Sequence, residues 1–259
     1  MQGHRNRAGL LVLISVLAAA GLFTRGPIPQ DLAYHQFADS REIAGIPNFW
    51  NVVSNLPFLA VGLLGLSRYR RLIHDESKSG YLFLCSGVFL VGLGSAYYHY
   101  APSNATLLWD RLPMTVAFMA LFSMLLGERV IARYRGVWLG LLVLLGIGAA
   151  LYWSWSESLG HGDLRPYALV QFLPILLMPL ILLLFPARYF NGLLLLLAFG
   201  LYFVAKALEH FDQQIWNLLG SIGGHPIKHV AAAAAVLCII YAVPVGSRRR
   251  DEAAELEAT

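Results

Sequence analysis

The stretch YLFLCSGVFLVGLGSAYYHY, from Tyr81 to Tyr100, contains no aspartate, glutamate, lysine or arginine. A helix over it is about 30 Å long, the thickness of a bilayer's hydrocarbon core. Seven similar apolar runs flank it: Ala8–Thr24, Phe49–Ser67, Leu107–Leu126, Val137–Trp155, Tyr167–Phe185, Gly192–Leu208 and His225–Val243. Charged or Gly/Pro-rich segments separate them, as expected where membrane spans end. Eight candidate spans predict an all-α fold, a polytopic transmembrane helical bundle. Pro57, Pro174 and Pro179 fall inside spans, where they should kink helices against packed neighbours.

Composition agrees. Hydrophobic residues make up 58% of the 259 and charged residues only 13%, with mean hydropathy +0.60; a soluble domain carries about 25% charge. Cys85 and Cys238 both lie in apolar runs and read as small buried or lipid-facing residues, not as a disulfide. The net charge of +4 does not call for a nucleic-acid partner, because the basic residues are sorted by loop. Arg5, Arg7, Arg68, Arg70, Arg71, Lys78, Arg129, Arg133, Arg135, Arg188, Arg248, Arg249 and Arg250 fall in the tails and the even-numbered connections. The other side holds Arg25, Arg41, Arg111, Arg165, Lys206 and Lys228. The positive-inside bias therefore predicts both termini in the cytoplasm if all eight runs span.

The first run admits a second reading. His4-Arg5-Asn6-Arg7, an apolar stretch and Ala18-Ala19-Ala20-Gly21 also resemble a secretory signal with a small-residue cleavage site. An uncleaved anchor is the preferred expectation, and either outcome leaves Arg25 onward outside.

Five polar residues stand out against this background. Ser95 and His99 are four apart, hence on one helix face, and so are His225 and His229. In the expected threading the span ending at His99 runs outward. The next returns with Asp110 about one turn in, and the last enters from outside at His225. All five then converge in the outer third of the bundle. Polar groups at membrane depth cost about 2.5–3.5 kcal/mol each on insertion scales, so their presence demands a function. Three neutral histidines plus water make a catalytic zinc site with one open position. A carboxylate and a hydroxyl beside it are what a metal hydrolase needs, and the setting makes the substrate a lipid. Gly223-Gly224 frees the backbone before the last span, and Pro226 suits its first turn.

Each residue also has a plainer reading. A membrane histidine can be a hydrogen-bonded packing residue, and a histidine pair can ligate haem between helices. Asp110 could be a helix-start carboxylate favoured by the dipole. Ser95 could bond back to a backbone carbonyl. Only their joint occurrence at one level points to a metal site.

Ser95-x-x-x-His99, Asp110 followed by Leu112-Pro113-Met114, and His225-x-x-x-His229 together resemble the alkaline ceramidase family. That family belongs to a superfamily of seven-helix membrane hydrolases that includes the adiponectin and progestin receptors. Asn48-Phe49-Trp50-Asn51-Val52-Val53-Ser54-Asn55 is similar to the opening of the family's first core helix. The resemblance covers roughly residues 39–243. It implies a seven-helix core plus an extra N-terminal transmembrane helix or signal anchor. The corresponding division is 1–24 anchor or signal peptide, 25–48 exoplasmic segment, 49–243 hydrolase core and 244–259 cytoplasmic tail.

The resemblance implies an amide hydrolase acting on ceramide or a related lipid amide. His99, His225 and His229 would hold zinc, Asp110 would take a proton from the attacking water and return one to the leaving amine, and Ser95 would hydrogen-bond the developing oxyanion. Acyl chains would lie among the helices, lined by runs such as Leu194–Ala198. Alkaline ceramidases also carry an acidic, calcium-binding stretch before the first core helix. Asp39, Glu42 and Asn48 could be its remnants, although the segment is shorter and Asn48 is an amide where a carboxylate is expected; a solvated loop with a cap at Asn48 is the competing reading. Calcium prefers six to eight oxygens, many of them charged.

Other polar residues read as ordinary surface. Glu209, His210 and Asp212 are expected in an outer loop near the entrance, and Trp153, Trp155 and Trp216 as interfacial anchors. His35, His74 and His161 have no evident partner, and Asp251–Thr259 reads as an acidic tail behind the headgroup-binding Arg248–Arg250. Three functions compete with the lipid amidase: a receptor or sensor with structural zinc, a b-type transmembrane cytochrome, and a transporter. Retention of both Asp110 and Ser95 argues against the first. Oligomeric state is left open.

Overall fold

Ten α-helices and no strand form among the described residues, 2–133 and 135–246, of the computed structural model. Arg248–Arg250 and Asp251–Thr259 lie outside the described residues. The helices are α1 Gln2–Phe23, α2 Phe49–Val53, α3 Leu56–Arg68, α4 Asp75–Tyr100, α5 Asn104–Leu125, α6 Arg135–Ser158, α7 Arg165–Leu184, α8 Gly192–His210, α9 Asp212–Leu219 and α10 Gly224–Ala242. Eight stretches among them are long and apolar enough to cross a membrane, in the order read from the sequence. The architecture is a multi-pass helical bundle. Its outer surface is rich in exposed apolar residues, Leu183 and Leu193 at 72% and 76% among them, as suits a hydrocarbon surround.

Helix ends run past the apolar runs because polar residues cap them. Asp75 and Glu76 occupy the first turn of α4, where the helix dipole favours acids. Ser103 and Thr106 form a capping box that starts α5 at Asn104, so Asp110 lies nearly two turns inside the helix, deeper than expected. The second span is broken and not merely kinked. Pro57 has no N–H to continue the ladder, so α2 stops at Val53 and α3 starts at Leu56. Asn55 answers the break by donating from Nδ2 to the Asn51 carbonyl at 2.7 Å.

The connections sort into two ends. At one end Arg7 reaches the Leu184 carbonyl, Gly246 N–H bonds the Arg71 carbonyl, and Arg135 pairs with Glu76. Glu128, in a π-helical turn that prolongs α5, accepts the backbone N–H groups of Arg188, Tyr189 and Phe190 while pairing with Arg129. At the other end the Gln30 N–H bonds Glu157, Leu164 N–H bonds the Ile28 carbonyl, and Asp163 pairs with Arg165. That pairing holds the Asp163 carboxyl below the usual carboxylate range. His99, Asp110, Glu209 and His225 all belong to this second end.

The tightest helix crossing is between α4 and α5. A Cβ on Gly94 would overlap the Trp109 carbonyl, and one on Gly87 would press on the backbone of Ala117. Both glycines are needed for space, and Gly94 sets Ser95 beside the turn that carries Asp110.

Candidate metal centre

His99, His225 and His229 come together from α4 and α10. Their ligand nitrogens all lie within 4.8 Å of one another, and the ring centres are 4.9, 5.0 and 5.1 Å apart. All three are buried, His99 to 1% exposure. Nδ1 of His99 and Nε2 of His225 are buried without a hydrogen-bond partner. Such groups are costly unless something binds them. His229 differs: its Nδ1 lies 2.7 Å from Ser54 Oγ, and Ser54 in turn reaches the Asn51 carbonyl. For Nε2 of His229 to offer a lone pair, Nδ1 carries the proton and donates it to Ser54, which fixes the tautomer.

This donor set fits a divalent cation of the zinc class. Tetrahedral zinc with bonds of about 2.0–2.1 Å needs three neutral imidazoles converging from a well-packed shell. Buried nitrogens left without partners meet that need. The rings stand too close together to admit a porphyrin between any two, so the haem reading loses its geometric basis.

Aromatic rings pack around the triangle. Phe37 sets its ring edge-on to His99 and His225, each at 4.8 Å, and Phe58 lies 6.2 Å from His229. Two carboxylates hold the backbone in place. Asp212 accepts the N–H of His225 at 2.8 Å through one oxygen and the N–H of Ala38 at 3.0 Å through the other. Asp39 takes Arg41 on both oxygens, at 2.9 and 2.8 Å; Arg41 also donates to the Ser221 carbonyl and lies over Trp216. The Asp39 hydrogen bonds hold the Arg41 guanidinium above its ordinary range.

These contacts bear on calcium. Arg41 engages both oxygens of Asp39, and Glu42 is exposed. Asn48, in the left-handed region, donates from its side chain to the His99 carbonyl and makes no side-chain cap. The Arg41–Asp39 pair and the Asn48 bond tie this segment to Ser221 and to the end of α4. Among the described residues the three histidines are the one group of at least three His, Cys, Asp or Glu close enough to share an ion.

Ser95 and Asp110 line the same cavity as His229, and their side chains interact. The cavity, about 320 Å³, runs between α4, α5, α7, α8 and α10 and is mostly apolar. Of Leu194–Ala198 only Ala198 lines it, because α8 turns the leucines elsewhere on its surface. Glu209 and His210 end α8 and Asp212 begins α9, so the three lie on helix ends; His210 is exposed, whereas Glu209 faces the cavity between Lys206 and Lys228. Trp153 is fully buried under the Arg111 guanidinium, at 4.2 Å, and is no interfacial anchor. His35 is held by Tyr98 and Asn104, both at 2.9 Å, and His74 stacks on Tyr189. Gly224 serves space and not backbone freedom: a Cβ there would strike the Leu208 carbonyl. Ser54 and the two lysines are the residues that sequence reasoning passed over. The quoted segment 48–55 contained Ser54, but nothing local linked it to a histidine 175 positions away.

Comparison with known proteins adds one finding. A family model described as Ceramidase matches residues 39–220, most of the chain, taking in Ser95, His99 and Asp110 and stopping short of His225 and His229. No curated protein matches the chain.

Proposed function

The chain belongs to the ceramidase family, which implies a hydrolase, and from that premise we propose that it is a zinc-dependent lipid amide hydrolase working inside the membrane, with ceramide or a related amide as substrate. The observation that carries the reading is the buried triangle of His99, His225 and His229 with two orphaned nitrogens.

A zinc ion held by these three residues would supply Lewis acidity, bringing the pKa of water down to about 7 and polarising a carbonyl. The protein's own groups do the rest. The apolar walls of the cavity hold the acyl chain, and Phe37 and Phe58 keep bulk water from the reacting carbonyl. Asp110 takes a proton from the attacking water and returns it to the amide nitrogen as the C–N bond breaks, leaving a fatty acid and an amine. Ser95 donates its hydroxyl hydrogen to the carbonyl oxygen as that atom gains charge. Ser54 keeps His229 in the tautomer that leaves Nε2 free.

Basic residues concentrate at the opposite end of the bundle, which favours an active site near the exoplasmic face and a cytoplasmic C-terminus. In the same reading 1–24 is an anchor, 25–48 an exoplasmic strap and 49–243 the hydrolase core.

The test uses purified full-length protein. Elemental analysis should give one zinc per chain, and a panel of ceramides and other lipid amides should be cleaved, with activity lost to a chelator and restored by zinc. Cleavage by demonstrably metal-free protein would overturn the reading.

A further inference from the structure

The cavity contains charges that the hydrolytic step does not use. Lys206 on α8 and Lys228 on α10 share Glu209: Nζ of Lys206 lies 2.5 Å from Oε2, and Lys228 pairs with Oε1. Each ammonium has three donors, and the hydrogen bonds to Glu209 use one on each. Arg111 follows Asp110 on α5 and is only 6% exposed. Its Nη2 donates to Gln30 Oε1 at 2.7 Å, and its guanidinium lies among the rings of Tyr34, Trp153 and Tyr167. Its Nη1 is buried with no partner, and no carboxylate pairs with it among the described residues.

Arg111, Lys206 and Lys228 line the cavity together with Asp110 and Glu209. Three cations then face two carboxylates, an excess of positive charge even before a divalent ion is added. Buried charge persists only when it is paired. A guanidinium is suited to carboxylate or phosphate, which it can grip with two parallel N–H bonds. Packing against aromatic rings accounts for the plane of Arg111, but not for the free Nη1 or for the two lysines that line the same cavity.

We propose that the lipid amide taken by this protein bears an acidic group, a carboxylate or a phosphate, close to the scissile bond, and that Arg111, Lys206 and Lys228 receive it. This rests on the hydrolase reading and narrows its substrate. The acyl chain fills the apolar part of the cavity, the amide meets Ser95, Asp110 and the histidines, and the acid faces the cationic end. A neutral lipid amide leaves that end uncompensated and binds more weakly.

The test compares four lipids of matched acyl chain on the full-length, zinc-loaded protein: ceramide, ceramide phosphate, an N-acylglycine and its methyl ester. Binding is read by intrinsic tryptophan fluorescence and cleavage by release of fatty acid. At least one acid should bind ten times or more tighter than its neutral counterpart, and the acid with the larger ratio tells phosphate from carboxylate. Arg111→Gln should bring the ratio close to one. Because Arg111 is packed among rings, Lys206→Gln, a change at a more exposed side chain, is the second variant and should lower the ratio as well. Equal binding of charged and neutral forms by the unaltered protein overturns the inference. Acid-selective binding without cleavage of any lipid supports the anion site and counts against hydrolysis, whereas cleavage without acid preference does the reverse.

Discussion

The hydroxyl of Ser54, at the break between α2 and α3, lies 2.7 Å from Nδ1 of His229 on α10. A ligand histidine whose second nitrogen is anchored keeps its orientation and its basicity. Loss of such an anchor typically costs tenfold to a hundredfold in metal affinity. Ser54→Ala should therefore bind zinc about 10–100 times more weakly in competition with a graded chelator, while the fold persists. Unchanged affinity would mean that the hydroxyl serves the helix break alone.

Asp110 and Ser95 face the cavity but are not among the three nitrogens that would hold the ion. Asp110→Asn should keep its zinc and lose about 10²–10⁴-fold in kcat, the usual range for a general base. Ser95→Ala should lose about 10²-fold with the metal retained. Zinc lost along with activity in Asp110→Asn would recast Asp110 as a ligand.

Gly94 lets α4 and α5 approach until a Cβ would overlap the Trp109 carbonyl. Gly94→Ala must push the helices apart, at about 1–3 kcal/mol of stability. It also shifts Ser95 relative to Asp110, and a displacement of about 1 Å can cost about 10²-fold in rate. Gly148→Ala on α6, where nothing lies within 4 Å of the added carbon, is the neutral control. Thermal melts and turnover of the two variants should diverge sharply.

Arg165 holds the Asp163 carboxyl below its ordinary pKa through their hydrogen bonds. A depressed folded value means that the pair's contribution is fully present above the unfolded pKa, about 3.9. It fades as pH falls through the folded value. Wild type should therefore melt higher than Asp163→Asn at pH 7 and down to about pH 4, with the gap closing only in stronger acid. A gap that closes between pH 7 and 5 would assign the effect to another group.

Much of the architecture was legible because a bilayer imposes one simple demand, long uncharged helices, which the run from Tyr81 to Tyr100 states openly. The histidine triangle was legible for a related reason: the i, i+4 spacing of His225 and His229 survives folding unchanged, and alternation of spans brings His99 to the same end. What escaped was tertiary. Lys206 and Lys228 looked like positive charges to be assigned to a side, and Glu209 like a loop acid. Only the packing of α8 against α10 makes them a cluster. Trp153 resembled an interfacial anchor because the aromatic pattern of a helix end does not say which ring faces inward. The pairing of Asp39 with Arg41, two residues on, likewise left no signature in the spacing.

The carboxylate of Asp212 joins the backbone of Ala38 to that of His225. A displacement of the strap ahead of α2 is thereby transmitted to the metal triangle, and the reverse holds equally. By thermodynamic reciprocity, a lipid that favoured one posture of that strap would alter ion affinity by a certain factor, and the ion would alter lipid affinity by the same factor. An ion held by the triangle would then favour one placement of residues 25–48 over the others.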